Sequence, residues 1–310
     1  MMQKIIRPLR PVDALFIFFN ILLSLIILIF ADKRFDVLAV VGANVLTSAG
    51  IAALAYTVMW YENKIFRVIH DWYPVAGIFL AFKEVYLLIQ TLGANDWDNV
   101  LIAIDHAIFG VHPMVWLGQF ATPILTEILQ IGYASYYFIM LSVGIEVFMR
   151  NDKEKFSYTL FIIVYGFFLS YLGYLAFPAV GPRFTLHDFH ALDTELPGLF
   201  LTTPIRDFLN AGESILKGAL NAMALAQRDA FPSGHTQMTL ISIYLAGKYR
   251  LRSRYILYAF GTLLIISTVY LRYHYVIDLI AGAVFMLFTI WSAQKLFVWW
   301  DKIRGSWLSM

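Results

Sequence analysis

Long apolar runs recur from one end of this chain to the other, and their spacing limits the fold more than any other feature. They lie at about 12–30, 37–60, 75–92, 124–148, 158–177, 237–246, 256–271 and 275–299, the two beside the link 248–254 being short. A helix needs roughly 20 mostly apolar residues to cross a bilayer. In hydrocarbon the backbone must satisfy its own polar groups, which leaves helices or closed barrels, and runs of this length read as helices. The expected fold is therefore all-α: a polytopic transmembrane helical bundle of about eight spans. Composition agrees, because 60% of residues are hydrophobic and only 14% charged, where a soluble domain carries roughly a quarter charged. The 26 Phe, 18 Tyr and 8 Trp suit rings that anchor helix ends at the interface. Trp299 and Trp300 read as such anchors.

The first two runs, joined by a short link around Asp32, form an N-terminal hairpin over 1–66, and a membrane domain with the chemistry follows over 67–310. The basic start is followed by a full-length run and then by another, which reads as a retained helix and not a cleaved signal. Pro74 suits the first turn of the third helix. Lys83 and Glu84 sit in the middle of that run and must face away from lipid, as an ion pair, as groups satisfied by other helices, or as part of a substrate cavity. From 93 to 123, Asp96, Asp98, Asp105, His106 and His112 interrupt the apolar pattern. That stretch reads as interfacial or re-entrant, with one short amphipathic helix. The longest polar stretch, 183–230, reads as an extracytoplasmic cap with short helices, one around 203–211.

Charge placement orients the bundle. With a cytoplasmic N-terminus and a non-crossing 93–123, the clusters Lys4/Arg7/Arg10, Lys64/Arg67, Arg150/Lys153/Lys155, 248–254 and Lys302/Arg304 all fall inside. Both termini are then cytoplasmic, and the cap, Arg183, His235 and His274 share the outer face. The formal charge of +2 gives no reason to expect nucleic acid. The absence of Cys excludes disulfides, thiolate chemistry and cysteine metal sites.

Two histidines stand out. His235 opens an apolar run behind Pro232, Ser233 and Gly234, where helix-start amides and a glycine form an anion seat to which the serine hydroxyl can add a donor. His274 and Asp278 are four apart, which on a helix puts both on one side. The aspartate can then accept from one imidazole nitrogen and leave the other free to attack, while His235 serves as acid and base. Phosphoryl oxygens need cations, and the outer face offers Arg183, Arg272, Arg206, Arg228 and Lys217. No metal or other cofactor is needed. His187 and His190 lack a third ligand at suitable spacing.

On these residues the chain resembles the type 2 phosphatidic acid phosphatase superfamily, whose signature runs KxxxxxxRP, then PSGH, then SRxxxxxHxxxD. The second part is intact at 232–235, and the third is carried by Ser267, His274 and Asp278 with Thr268 in place of the arginine. The first part is replaced by Pro178 to Arg183. These departures are similar to the branch of inositol phosphorylceramide synthases and their bacterial relatives. The likeness extends through Asp71 to Pro74, Lys83-Glu84, Phe109 to His112 and Tyr171-Leu172. The resemblance implies a nucleophilic His274 oriented by Asp278, His235 as acid and base, and Arg183, Ser233, Gly234, Arg272 and Lys217 as phosphate holders. It implies a membrane lipid phosphate or phospholipid as substrate and a site in the plasma membrane, the inner membrane for a bacterium. Water as acceptor would make the protein a phosphatase; a lipid or sugar hydroxyl would make it a phosphotransferase of the inositol-phosphate type. A non-enzymatic transporter is the remaining alternative, and the oligomeric state is left open.

Overall fold

A computed structural model describes residues 5–30, 36–93, 95–213, 215 and 218–305. Regular structure among the described residues is helical, with no strand. The main helices are α1 (Pro11–Phe30), α2 (Val37–Trp60), α3 (Lys64–Leu92), α4 (Asp98–Phe109), α5 (Pro123–Ala134), α6 (Tyr136–Met149), α7 (Lys153–Ala176), α8 (Thr202–Gly212), α9 (Gly234–Lys248), α10 (Arg254–Tyr270) and α11 (Val276–Arg304). Each of α1, α2, α3, α7 and α11 is long and apolar enough to cross a membrane. The pair α5 and α6, bent by 44°, makes a sixth span if it is one broken helix. The runs beside the basic link form the shorter α9 and α10, of 15 and 17 residues. The protein is a multi-pass, all-α membrane protein of the expected class.

The chain divides into two compact units, the first comprising Met1–Ala94, Val147–Leu169 and Phe288–Met310. In that unit Phe16 and Phe19 of α1 pack on Phe168 with ring centroids 5.0 and 3.9 Å apart. Pro74 corrects the sequence reading: α3 starts ten residues earlier, at Lys64, and the proline lies inside it. The earlier start is fixed by Asn63, whose side chain accepts from the Ile65 N–H at 2.8 Å. An interior proline strips its i−4 carbonyl of a donor. Here that carbonyl is His70's, and the Arg10 guanidinium donates to it instead. Arg10 also pairs with Asp71 at 2.7 Å, and buried Asp13 accepts from the Tyr73 hydroxyl at 2.7 Å. Glu84 accepts from Asn44 of α2 at 2.6 Å, so another helix satisfies it, while Lys83 is exposed.

The second unit, Asn95–Glu146 and Ser170–Leu287, holds the motif residues. The interrupted stretch contains two short helices where one was expected: the 12-residue α4 and a 6-residue turn of helix, Pro113–Gly118. Gly110 at φ +69° ends the first in the left-handed region, and Pro113 restarts the second at a position that needs no N–H. α4 is a brace. Its buried Asp98 accepts from the amides of Val180 and Gly181 at 3.0 and 2.9 Å and from the Tyr275 hydroxyl at 2.7 Å. Asp105 accepts at 2.8 Å from the amides of Val276 and Ile277 at the start of α11. In the cap, Glu127 of α5 gathers the amides of Leu199, Phe200, Leu201 and Thr202 at 2.6 to 3.1 Å, seating the start of α8. That helix, Thr202–Gly212, is the one expected around 203–211.

Candidate active site

The Pro-Ser-Gly-His turn is built to start α9. Ser233 caps the helix, its Oγ accepting from the Thr236 N–H at 3.2 Å, and its own N–H donates to the Asp278 carbonyl at 3.0 Å. A Cβ at residue 234 would stand 2.2 Å from the Tyr174 hydroxyl oxygen, so any larger residue there would have to displace that ring. Gly181 is equally constrained: its φ is +90° and a Cβ would meet the Tyr273 carbonyl oxygen at 2.6 Å. Asp98, gripping the amides of 180 and 181, therefore aligns the segment carrying Arg183 with the segment carrying His274.

His274 and Asp278 come together by a route different from the one expected. Only Asp278 lies on α11, which begins at Val276; His274 precedes it. After α10 the chain turns through Arg272 at φ +67°, and the amides of Tyr273 and His274 both donate to the Thr268 carbonyl at 2.9 and 3.0 Å. Asp278 then reaches back from the first turn to accept from the Tyr275 N–H at 2.8 Å. Its Oδ2 stands 3.3 Å from His274 Nδ1, while the Ala230 carbonyl is closer, at 2.8 Å. A carbonyl can only accept, so His274 Nδ1 carries the proton and Nε2 presents a lone pair. His235 Nδ1 is 3.2 Å from that Nε2. The same logic makes His235 Nδ1 the donor, its proton aimed at the nitrogen of the second histidine.

Aromatic rings hold the pair in place. His235 packs against Tyr133 and Tyr136 with centroids 4.8 and 4.3 Å away, and Tyr133 stacks on Tyr273 at 4.2 Å. Arg183 lies over the Tyr273 ring at 4.6 Å, only 4% exposed. Its guanidinium pairs with Glu213 and donates to Asn210 at 3.2 Å. Arg272, also 4% exposed, pairs with Glu195, which stands 3.5 Å from His187 Nδ1. Both expected phosphate-holding arginines are thus held by carboxylates of the cap. Two other cations serve the cap itself: Arg206 pairs with Asp193, and Arg228 bonds to Asp96 at 3.2 Å and to the Ala226 carbonyl at 2.6 Å. Thr268, where the resemblance expects arginine, returns its hydroxyl to the Ile265 carbonyl at 2.7 Å, and Ser267 does the same with Leu264 at 2.6 Å. Lys217 lies outside the described residues.

Electrostatics keep His274 neutral. Burial pushes His274 down to about 4, against a smaller upward pull from Asp229. Burial pushes Asp229 up to about 6, and Glu213 adds to the rise. Sequence reasoning missed Asp229, Glu195, Glu213 and the tyrosine sandwich, since nothing in their local spacing sets them apart from other polar or aromatic residues. Asp98 and Asp105 were noticed only as breaks in an apolar pattern. Asp98→Ala strips three donors of their acceptor in a buried place, which is expected to cost on the order of 3 kcal/mol. Thermal unfolding of the purified protein reads that loss; an unchanged Tm would contradict the bracing role.

Residues 99–292, more than half of the chain and including both histidines, match the family model described as the PAP2 superfamily. No curated protein and no solved structure matches the chain. Members of that family are generally phosphatases or phosphotransferases. With the histidine pair, the PSGH turn and the matched span in agreement, the chain belongs to the PAP2 superfamily, that of the type 2 phosphatidic acid phosphatases.

Proposed function

We propose that this protein is a membrane lipid-phosphate phosphatase that works through a phosphohistidine. The observation that carries the reading is the 3.2 Å approach of His235 Nδ1 to a His274 Nε2 left unprotonated by the Ala230 carbonyl on its other side. His274 Nε2 attacks phosphorus, the bond from phosphorus to the lipid oxygen breaks, and His235 passes a proton to that oxygen. The products of this step are the lipid alcohol and phosphohistidine. Water, giving its proton to His235, then takes the phosphoryl group and frees His274. An anionic phosphate beside the pair raises the proton affinity of His235, which suits it to the acid role.

Arg183 and Arg272 would hold the phosphoryl oxygens, with Glu213 and Glu195 giving way, since a phosphate dianion makes the stronger bidentate partner. Ser233 and Gly234 place the start of α9 against the same group. Positive charge then comes from guanidinium groups and the mechanism needs no metal ion, so EDTA is expected to leave the rate unchanged. The positive-inside pattern supports cytoplasmic termini and a site on the outer face of the plasma membrane, the inner membrane in a bacterium.

One observation favours a second reading, transfer of a phospho-headgroup to a lipid or sugar hydroxyl as in the inositol phosphorylceramide synthase branch. His274 is 2% exposed under the cap, with Asp229 and Glu213 within electrostatic reach of it. A site shielded from bulk water and supplied with carboxylates suits an alcohol acceptor. Purified protein given a labelled lipid phosphate, with and without a polyol, separates the two. Hydrolysis predicts label only in free phosphate; label in the polyol would establish transfer.

The pH profile tests the histidine assignment. A nucleophile must be unprotonated, and its depressed affinity keeps it so well below the ordinary 6.5 of histidine. The acid limb of kcat/KM is therefore expected near pH 4, where His274 takes up its proton. A limb at 6.5 would contradict the assignment.

A further inference from the structure

The first compact unit contains a cavity of about 970 Å³ that the catalytic reading does not use. The segment just before α1, the end of α2, the start of α3, the end of α6 and the start of α7 with the link before it line the cavity. Its charge is one-sided. Arg7, Arg10, Lys64, Arg67 and Lys153 face two carboxylates, Asp71 and Asp152. Both carboxylates already have cationic partners: Asp71 pairs with Arg10 at 2.7 Å and Asp152 with Lys155 at 2.5 Å. Among the described residues the side chains of Arg7, Lys64, Arg67 and Lys153 have no ion pair. Arg10 adds a buried Nε–H without a hydrogen-bond partner. The remaining wall is mostly apolar, with Val58, Met59, Phe148 and Phe156, and is interrupted by His70, Asn151 and Ser157.

Four unpaired cations beside an apolar wall match an amphiphile with an anionic head. The volume is at the upper end of that of sites for small molecules, and basic pockets between membrane helices near the interface are suited to anionic lipid headgroups. We propose that this cavity binds the headgroup of an anionic phospholipid, its phosphate among Arg7, Lys64, Arg67 and Lys153 and its glycerol and first acyl carbons along Met59 and Phe148. The site is separate from the histidine pair, and its existence does not depend on the catalytic reading.

The test uses the full chain, purified in a nonionic detergent and stripped of lipid. It is titrated with mixed micelles of dioleoyl phosphatidylglycerol, with dioleoyl phosphatidylcholine, and with inorganic phosphate, and binding is followed by native mass spectrometry. The expected result is at least about tenfold tighter binding of phosphatidylglycerol than of phosphatidylcholine. The preference is lost in Arg7→Gln/Arg67→Gln and in Lys64→Gln/Lys153→Gln. It is kept in Arg252→Gln/Lys302→Gln, which neutralises exposed cations outside the cavity. All replaced residues are exposed, and the Tm without lipid verifies that each variant is folded. Equal affinity for the two lipids, or an unchanged preference in both cavity variants, would overturn the proposal. Binding of inorganic phosphate as tight as that of phosphatidylglycerol would overturn the lipid assignment.

Discussion

His274→Asn is expected to lower kcat for lipid-phosphate turnover by about a thousandfold or more, because it removes the nitrogen that the proposed mechanism phosphorylates. The replacement is chosen to keep the fold. An asparagine amide can still donate to the Ala230 carbonyl, which accepts from His274 Nδ1 at 2.8 Å in the native protein. What disappears is the Nε2 lone pair opposite His235. Loss of binding alone would raise KM and leave kcat near its native value, so the division of the effect between kcat and KM distinguishes a nucleophile from a residue that only shapes the pocket. A kcat within tenfold of native in a folded variant would remove His274 from the chemistry.

The second large effect is expected at His235. General acid–base catalysis contributes typically about 10² to 10⁴ in rate, and His235→Ala should lose an amount in that range on lipid phosphates. The loss should depend on the leaving group. An alkoxide needs a proton as it departs, whereas p-nitrophenolate does not, so p-nitrophenyl phosphate should form the phosphoenzyme at nearly the native rate. The second step still lacks a base, and the phosphoenzyme should accumulate behind a burst of nitrophenol. Equal losses on both substrates, with no burst, would mean that His235 supports the site only by packing against Tyr133 and Tyr136.

The order of the apolar helices was legible in the sequence because a membrane span declares itself by length and composition, although among the described residues only five, or six with the bent pair, of the eight expected spans reach spanning length. The histidines were legible because PSGH and HxxxD are local patterns. Long-range contacts explain most of what was hidden. Asp98 meets Val180, Gly181 and Tyr275 across 82, 83 and 177 residues, and no local periodicity encodes such a bond. Glu127, reaching residues 199 to 202, is of the same kind. Two readings failed for a reason that can be stated. Pro74 looked like a helix start because interior proline leaves a carbonyl without a donor, and only the fold shows Arg10 supplying one. His274 and Asp278 looked like neighbours on a helix because a four-residue spacing fits one, yet the pairing arises from a turn that only the positive φ of Arg272 allows. The arginine expected at 268 is absent, and Arg183 and Arg272 bring guanidinium groups into the second unit from other positions, each paired with a cap carboxylate.

The central claim is that phosphorus becomes bonded to one nitrogen of one residue. It is tested most directly by mixing the purified protein with a lipid phosphate labelled at phosphorus, quenching in alkali within the first turnovers, and locating the label by peptide mass spectrometry. Phosphohistidine is stable in base and labile in acid. The account predicts alkali-stable label on the peptide carrying His274 and none in His274→Asn. Label on another residue, or turnover with no trapped phosphoenzyme in either the native protein or His235→Ala, would contradict it.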